Sequence, residues 1–234
     1  MTRVSWDRIS ASLEREQQRM IWRPYGAPDI LDLERTQFHD VPVSERWDLD
    51  EKLIVSVAVT GAFFRKEQNP YQPITPDEIR TSAAEVAASA STVHIHVRDD
   101  RGYNTLSYQR FAEVIGPLRT QFPNLAIDGC LVPALPGEWQ EMQRVLSSGL
   151  LDAAPLNATA AHVGDSLFAK PAAVLMEKAR LVVEAGLTPE IAVYTDADVS
   201  NADRFLVRSG IVRTPAIWLV LPALPGCMPM DNPR

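Results

Sequence analysis

Six short runs rich in β-branched and apolar residues recur along the chain: LIVSVAVT (53–60), TVHIHVRD (92–99), LAIDGCLV (125–132), LDAAPLNA (151–158), EIAVYT (190–195) and AIWLVLP (216–222). Longer stretches with helical spacing separate them, and this alternation marks a parallel βα architecture, because parallel neighbours need a crossover long enough to hold a helix. The first helix is announced by Thr75, Pro76 and Glu78, which supply a capping hydroxyl, a proline at the first helical position and a reciprocal glutamate. Four more helices are predicted over 107–121, 137–148, 170–185 and 198–209. Gly149, Gly186 and Gly210 follow the last three, where a left-handed residue ends a helix. Six βα units predict a TIM (β/α)8-type barrel, incomplete by its last two units. An open doubly wound sheet would give the same string, but TGAFF after the first strand is no glycine-rich phosphate loop, which counts against a dinucleotide-binding version.

The second run holds the residues with the most chemistry. His94 and His96 alternate with Val93, Ile95 and Val97, so on a strand both imidazoles leave the same face, about 7 Å apart along the chain. In a helix, positions i and i+2 would diverge by about 200°. Two neutral imidazoles on one face can share a metal, with Zn²⁺ the first expectation for nitrogen donors; the alternative is one histidine hydrogen-bonded in the core and the other at the rim. A catalytic zinc takes three protein ligands and an open position, so a third donor has to come from elsewhere. In a parallel barrel the active site forms at the C-terminal ends of the strands, the end at which this pair stands.

A formal charge of −7 and the lack of clustered Lys and Arg argue against a nucleic-acid surface, so the expected partner is a small molecule. Cys130 and Cys227 show no disulfide spacing, and MTRVSWDRIS has no apolar signal-peptide core, so a cytoplasmic protein is expected. The longest apolar run, AIWLVL, is stopped by Pro222, far short of the roughly 20 residues of a membrane span, and reads as a buried strand rather than a membrane segment. Residues 1–51 differ from the rest: charge and tryptophan are frequent, and Trp6, Ile9, Leu13 and Met20 are spaced as a helical stripe. They are expected to form a helical N-terminal arm to a barrel domain of residues 52–234.

TGAFF, PYQPITPDEI, VHIHVRD, PLNATAAHVGD, TPEIAVY and LVLPALPGCMP, in that order and spacing over about residues 52–230, resemble the β-keto acid cleavage enzymes. The resemblance implies a TIM barrel, Zn²⁺ held by His94 and His96, and a retro-Claisen-type exchange in which a β-keto acid and acetyl-CoA give acetoacetate and a new acyl-CoA. It also implies catalytic roles for Arg98, Asp99 and Asn157. The departures are equally specific. The glutamate of the family's TGAE motif, which meets an amino group on the substrate, is Phe63 here, so a non-aminated substrate is expected. Cys130 stands at a serine position, Pro155 at a threonine position and Ala192 at a glutamate position, which places Phe63, Cys130 and Pro155 among the substrate-binding candidates. Cys130 can stand in for the serine as a weak donor, but a buried cysteine more commonly behaves as a small hydrophobe. Arg98 and Asp99 are either a rim ion pair or supports that orient the histidines. The family's third zinc ligand, a glutamate in a later glycine-rich segment, has no counterpart before Arg234, nor do an arginine and an aspartate of that segment; His162, after the fourth strand, is the candidate substitute. The alternative to an enzyme is a degenerate member that only binds metal or ligand. A chain with two βα units missing is also expected to be a homo-oligomer.

Overall fold

A computed structural model describes residues 54–163 and 166–222; the expected arm and Cys227 lie outside the described residues. In chain order the elements are β1 (Ser56–Ala58), α1 (Pro76–Val86), β2 (Thr92–Ile95), β3 (Val97–Arg98), β4 (Asn104–Thr105), α2 (Tyr108–Gln121), β5 (Ala126–Gly129), α3 (Glu138–Leu146), β6 (Ala153–Asn157), β7 (Ala160–Val163), β8 (Ser166–Ala169), α4 (Ala172–Glu184), β9 (Thr188–Val193), α5 (Asp196–Ala202) and β10 (Ile217–Val220). All six strand runs and all five helices of the sequence reading are present. Around α1, the Thr75 hydroxyl accepts from the Glu78 N–H at 3.3 Å while the Glu78 carboxylate accepts from the Thr75 N–H at 3.0 Å. Thr195 and Asp198 form a second such box at α5, two residues ahead of the expected start. Gly149, Gly186 and Gly210 have φ of 75°, 75° and 77°, a region that costs glycine nothing and other residues strain.

Strand order decides between the two architectures left open above. The main sheet runs β1-β2-β5-β6-β9-β10, every neighbouring pair parallel, with no reversal of direction. Right-handed crossovers that always step the same way keep every helix on one face, whereas a doubly wound sheet reverses and covers both. The apolar residues agree. Val93, Ile95, Ile127, Leu131, Ala154, Leu156, Ile191 and Val193 alternate along their strands and are buried with Ile79, Phe111, Ile115, Leu118, Met142, Leu175 and Val182 of the helices. The opposite face carries His94, Asp128, Asn157 and Glu190, placed side by side by the registers His94↔Asp128, Asn157↔Ala192 and Pro155↔Glu190. This is the wall of a TIM-type barrel, with the helix-facing side as its apolar core and a polar interior.

Three local features depart from the expectations. The second strand breaks at His96: Val97 and Arg98 leave the sheet and pair antiparallel with Thr105 and Asn104. The segment after β6 is a hairpin, β7 with β8, rather than a loop. The AIWLVL run is an edge strand and not a buried one, with Ile217, Trp218 and Val220 at 39%, 37% and 59% exposure, because β10 is paired only to β9 among the described strands. No helix among the described residues is long and apolar enough to cross a membrane.

Candidate metal centre

Period-two alternation puts His94 and His96 on the inner face, and alternation along β5 and its extension does the same for Asp128 and Cys130. The register His94↔Asp128, continued by the 3.0 Å bond from the Cys130 N–H to the Ile95 carbonyl, sets the two pairs beside each other. The imidazole centroids are 5.1 Å apart with planes inclined by 72°. One donor atom from each of His94, His96 and Cys130 falls within 4.8 Å of the others.

Each ring is held from behind. The His94 Nδ1–H donates to an Asp128 carboxylate oxygen, and the His96 Nδ1–H donates to Asn104 Oδ1 at 2.8 Å. With both Nδ1 atoms engaged, the nitrogen that each ring keeps for a metal is Nε2. The Cys130 thiol lies beside both rings. Burial alone would depress the His94 imidazole, but its contacts with Asp128 and Cys130 outweigh it and lift the pKa to about 10. Burial would likewise raise the Cys130 thiol, yet the charges and hydrogen bonds of His96 and His94 bring it down to about 5. With protons alone at the site, Cys130 is therefore a thiolate against an imidazolium. Two imidazoles and a thiolate are a donor set that suits zinc and its borderline neighbours, and the polar inner face fits a divalent cation.

Behind Asp128 stands a second carboxyl. Glu190, 6% exposed on β9, is pushed up to about 8 by burial and by its hydrogen bond and charge interaction with Asp128. Its carboxyl therefore keeps its proton at neutral pH, beside the Asp128 side chain that meets His94. Glu190 Oε2 has no partner among the described residues.

The remaining candidates are distributed around this centre. Arg98, 2% exposed, directs its guanidinium to three backbone carbonyls, those of Gly61, Phe64 (3.2 Å) and Gly102 (3.0 Å), so it ties the loop after β1 to the β3–β4 hairpin. Asp99 accepts from the Arg101 and Tyr103 N–H groups at 2.9 Å each and shapes the hairpin tip. Phe63, in the loop that Arg98 holds, is 74% exposed at the C-terminal end of the sheet. Pro155 is buried on the inner face, its carbonyl accepting from Lys178 Nζ at 2.7 Å. Asn157 donates to the Tyr194 hydroxyl at 2.9 Å, while its own buried Oδ1 has no partner among the described residues; with Lys170 and Lys178 it lines a cavity of about 40 Å³. His162 lies on β7, exposed, outside the three-donor cluster. A groove of about 410 Å³ sits at the opposite, N-terminal end of β9 and β10 and is lined by Val183, Leu187, Ile211 and Ile217, with no metal donor among its lining residues. Asp128, Asn104 and Glu190 were missed from sequence. A signal existed for Asp128 and Glu190, an acid at an inward position of an otherwise apolar strand; none existed for Asn104, which reaches His96 only because the strand breaks.

Comparison with known proteins gives the same reading of the chain. The model of the beta-keto acid cleavage enzyme family matches residues 52–233. The 3-keto-5-aminohexanoate cleavage enzyme of Fusobacterium nucleatum is 31% identical over 174 residues, 70% of this chain and 61% of that protein, and the enzyme of the same name from Acetoanaerobium sticklandii is 30% identical over 70% of this chain and 60% of its own. The 3-oxoadipate:acetyl-CoA acetyltransferase of Cupriavidus necator is 37% identical over 78 residues, 33% of this chain and 28% of that one. The chain thus spans about 60% of the length of the first two relatives. Among solved structures, ObcA in binary complex with oxaloacetate superposes with a TM-score of 0.55 at 19% identity, covering 64% of this chain and 37% of that one, a likeness of fold.

Proposed function

Because the chain belongs to the β-keto acid cleavage enzyme family, we propose that it catalyses acetyl-CoA-dependent cleavage of a β-keto acid, with a zinc ion held by His94 and His96. In net terms the bond between the keto carbon and the carboxymethyl carbon breaks, the carboxymethyl carbon joins the acetyl carbonyl to give acetoacetate, and the CoA sulfur passes to the released acyl group. The observation that carries this reading is the coincidence of the family match with two imidazoles that stand together at the C-terminal end of a barrel wall. A bound zinc supplies Lewis acidity toward the keto and carboxylate oxygens of the substrate.

The chain's own groups do the rest. Asp128 and Asn104 fix the two tautomers and ring planes. Arg98 and Asp99 act as positioning residues, holding the two loops at the mouth in one arrangement. Asn157 presents an acceptor oxygen on the inner face with no competing partner among the described residues. Phe63 gives the mouth an apolar ring where a carboxylate would be needed to meet an ammonium group, so the substrate is a non-aminated β-keto acid; an unpaired cation there would cost on the order of kilocalories. A homo-oligomer working on small soluble substrates, with no nucleic-acid or membrane partner, completes the proposal.

Metal analysis of the purified chain together with an acetoacetate-release assay tests it. The expected result is about one zinc per chain and turnover of a simple β-keto acid with acetyl-CoA that exceeds turnover of its 5-amino analogue. Preference for the aminated substrate overturns the role of Phe63. Metal without turnover reduces the chain to a metal-binding member of its family.

A further inference from the structure

We propose that Cys130 is the third protein ligand, so that the ion is held by a His2Cys set of two imidazoles and one thiolate. This rests on the metal-centre reading above and goes beyond it, since that reading needs only the two histidines.

Three independent features of the geometry lead here. The first is strand placement: Cys130 follows β5 directly, its N–H bonded to the Ile95 carbonyl at 3.0 Å, and alternation turns its side chain to the face that bears both imidazoles. The second is direction. Each ring has one nitrogen committed, His94 Nδ1 to Asp128 and His96 Nδ1 to Asn104, which leaves Nε2 of each for a metal, and one donor atom from each of the three side chains lies within 4.8 Å of the others. A cation at their common point takes one donor atom from each of the three side chains. The third is chemistry. Sulfur and imidazole together favour zinc and cobalt over the harder magnesium and calcium ions, and three protein donors leave one position open, the pattern of a catalytic zinc. Other donors do not compete for the place: Asp128 is turned to the back of His94, and His162 stands outside the cluster.

Cobalt(II) substitution separates this proposal from the one it rests on. The full chain, freed of metal by chelation and titrated with cobalt chloride, is expected to show visible d–d bands of a four-coordinate ion and an intense near-ultraviolet sulfur-to-cobalt charge-transfer band. In Cys130→Ser the charge-transfer band is expected to vanish while cobalt still binds, more weakly by about tenfold or more. A wild-type spectrum with d–d bands and no charge-transfer band overturns sulfur ligation and leaves the two-histidine centre standing. A folded wild-type chain that takes up no cobalt overturns both. Should Cys130→Ser fail to fold, iodoacetamide labelling of the wild type, read by peptide mass at Cys130, decides the point: cobalt is expected to slow labelling at least tenfold, and equal rates with and without cobalt overturn the proposal.

Discussion

Asp128 has two neighbours at once: its side chain meets the back of His94 and stands beside the carboxyl of Glu190. Replacing it by Asn keeps the shape and removes the charge. Asp128→Asn is expected to weaken zinc binding by about 10- to 100-fold with the fold retained, checked by competition with a chromophoric chelator. Glu190 makes a different prediction. Its carboxyl titrates near pH 8 in the fold against an ordinary value of 4.5, so between those limits the folded chain keeps a proton that the unfolded chain has lost, and stability falls as the pH rises through that window. Urea melts of chelator-treated wild type and Glu190→Gln, compared from about pH 5 to pH 8, are expected to show a stability difference that moves steadily against the wild type as the pH rises; a flat difference would mean Glu190 is ionised throughout. The histidine pair was legible in the sequence because both members sit on one strand and alternation alone fixes their common face. The partners of the pair were not, because Asp128, Asn104 and Glu190 reach it across strand pairings that only the tertiary register sets.

At the scale of elements, β5 is the strand that the site can least allow to move, since Asp128 and Cys130 flank Gly129 on it. Gly129 turns to the helix side, where a Cβ would meet Phe111 Cε1 at 3.0 Å and both Leu151 Cδ atoms at 3.1 Å. Phe111 and Leu151 are 0% and 4% exposed and have little room to withdraw. Gly129→Ala is therefore expected to cost about 1–3 kcal/mol by overpacking and to push Asp128 and Cys130 toward the barrel interior, seen as a lower melting midpoint and a looser metal site. By contrast, Thr75→Ala should cost about 1 kcal/mol through the lost cap of α1 and leave metal affinity unchanged, because that cap serves the start of a helix and touches none of the donors. Caps, glycine ends and all six sheet strands were readable because each rests on local chemistry. The hairpins were not: β3 and β4 are two residues each, too short for any hydrophobic period, and they exist because buried Arg98 gathers carbonyls from two loops.

For the molecule as a whole, the alternation of runs showed the class of fold, but only the monotonic strand order separates a barrel wall from a doubly wound sheet. That same order leaves β1 and β10 each paired on one side among the described strands. Around β1, Ile54 and Val55 are 73% and 45% exposed; on β10, Trp218 and Val220 share the helix-side face and are 37% and 59% exposed. A parallel sheet is ordinarily covered on both faces, and an apolar edge strand with free backbone groups is a template for pairing with another chain. Ile217, next to Trp218 in the chain, lines an apolar groove with Ile211, Val183 and Leu187, so the end of β10 carries an apolar strip. The chain is therefore expected to self-associate through β10. Light scattering at micromolar concentration should give a mass above that of one 26.0 kDa chain, and Trp218→Lys, which sets a desolvation cost on the same strip, should shift it toward the monomer without lowering the melting midpoint of the barrel wall. A sharp-melting monomer for the unaltered chain would show instead that the strip is covered from within the chain, and Trp218→Lys would then lower stability rather than change mass.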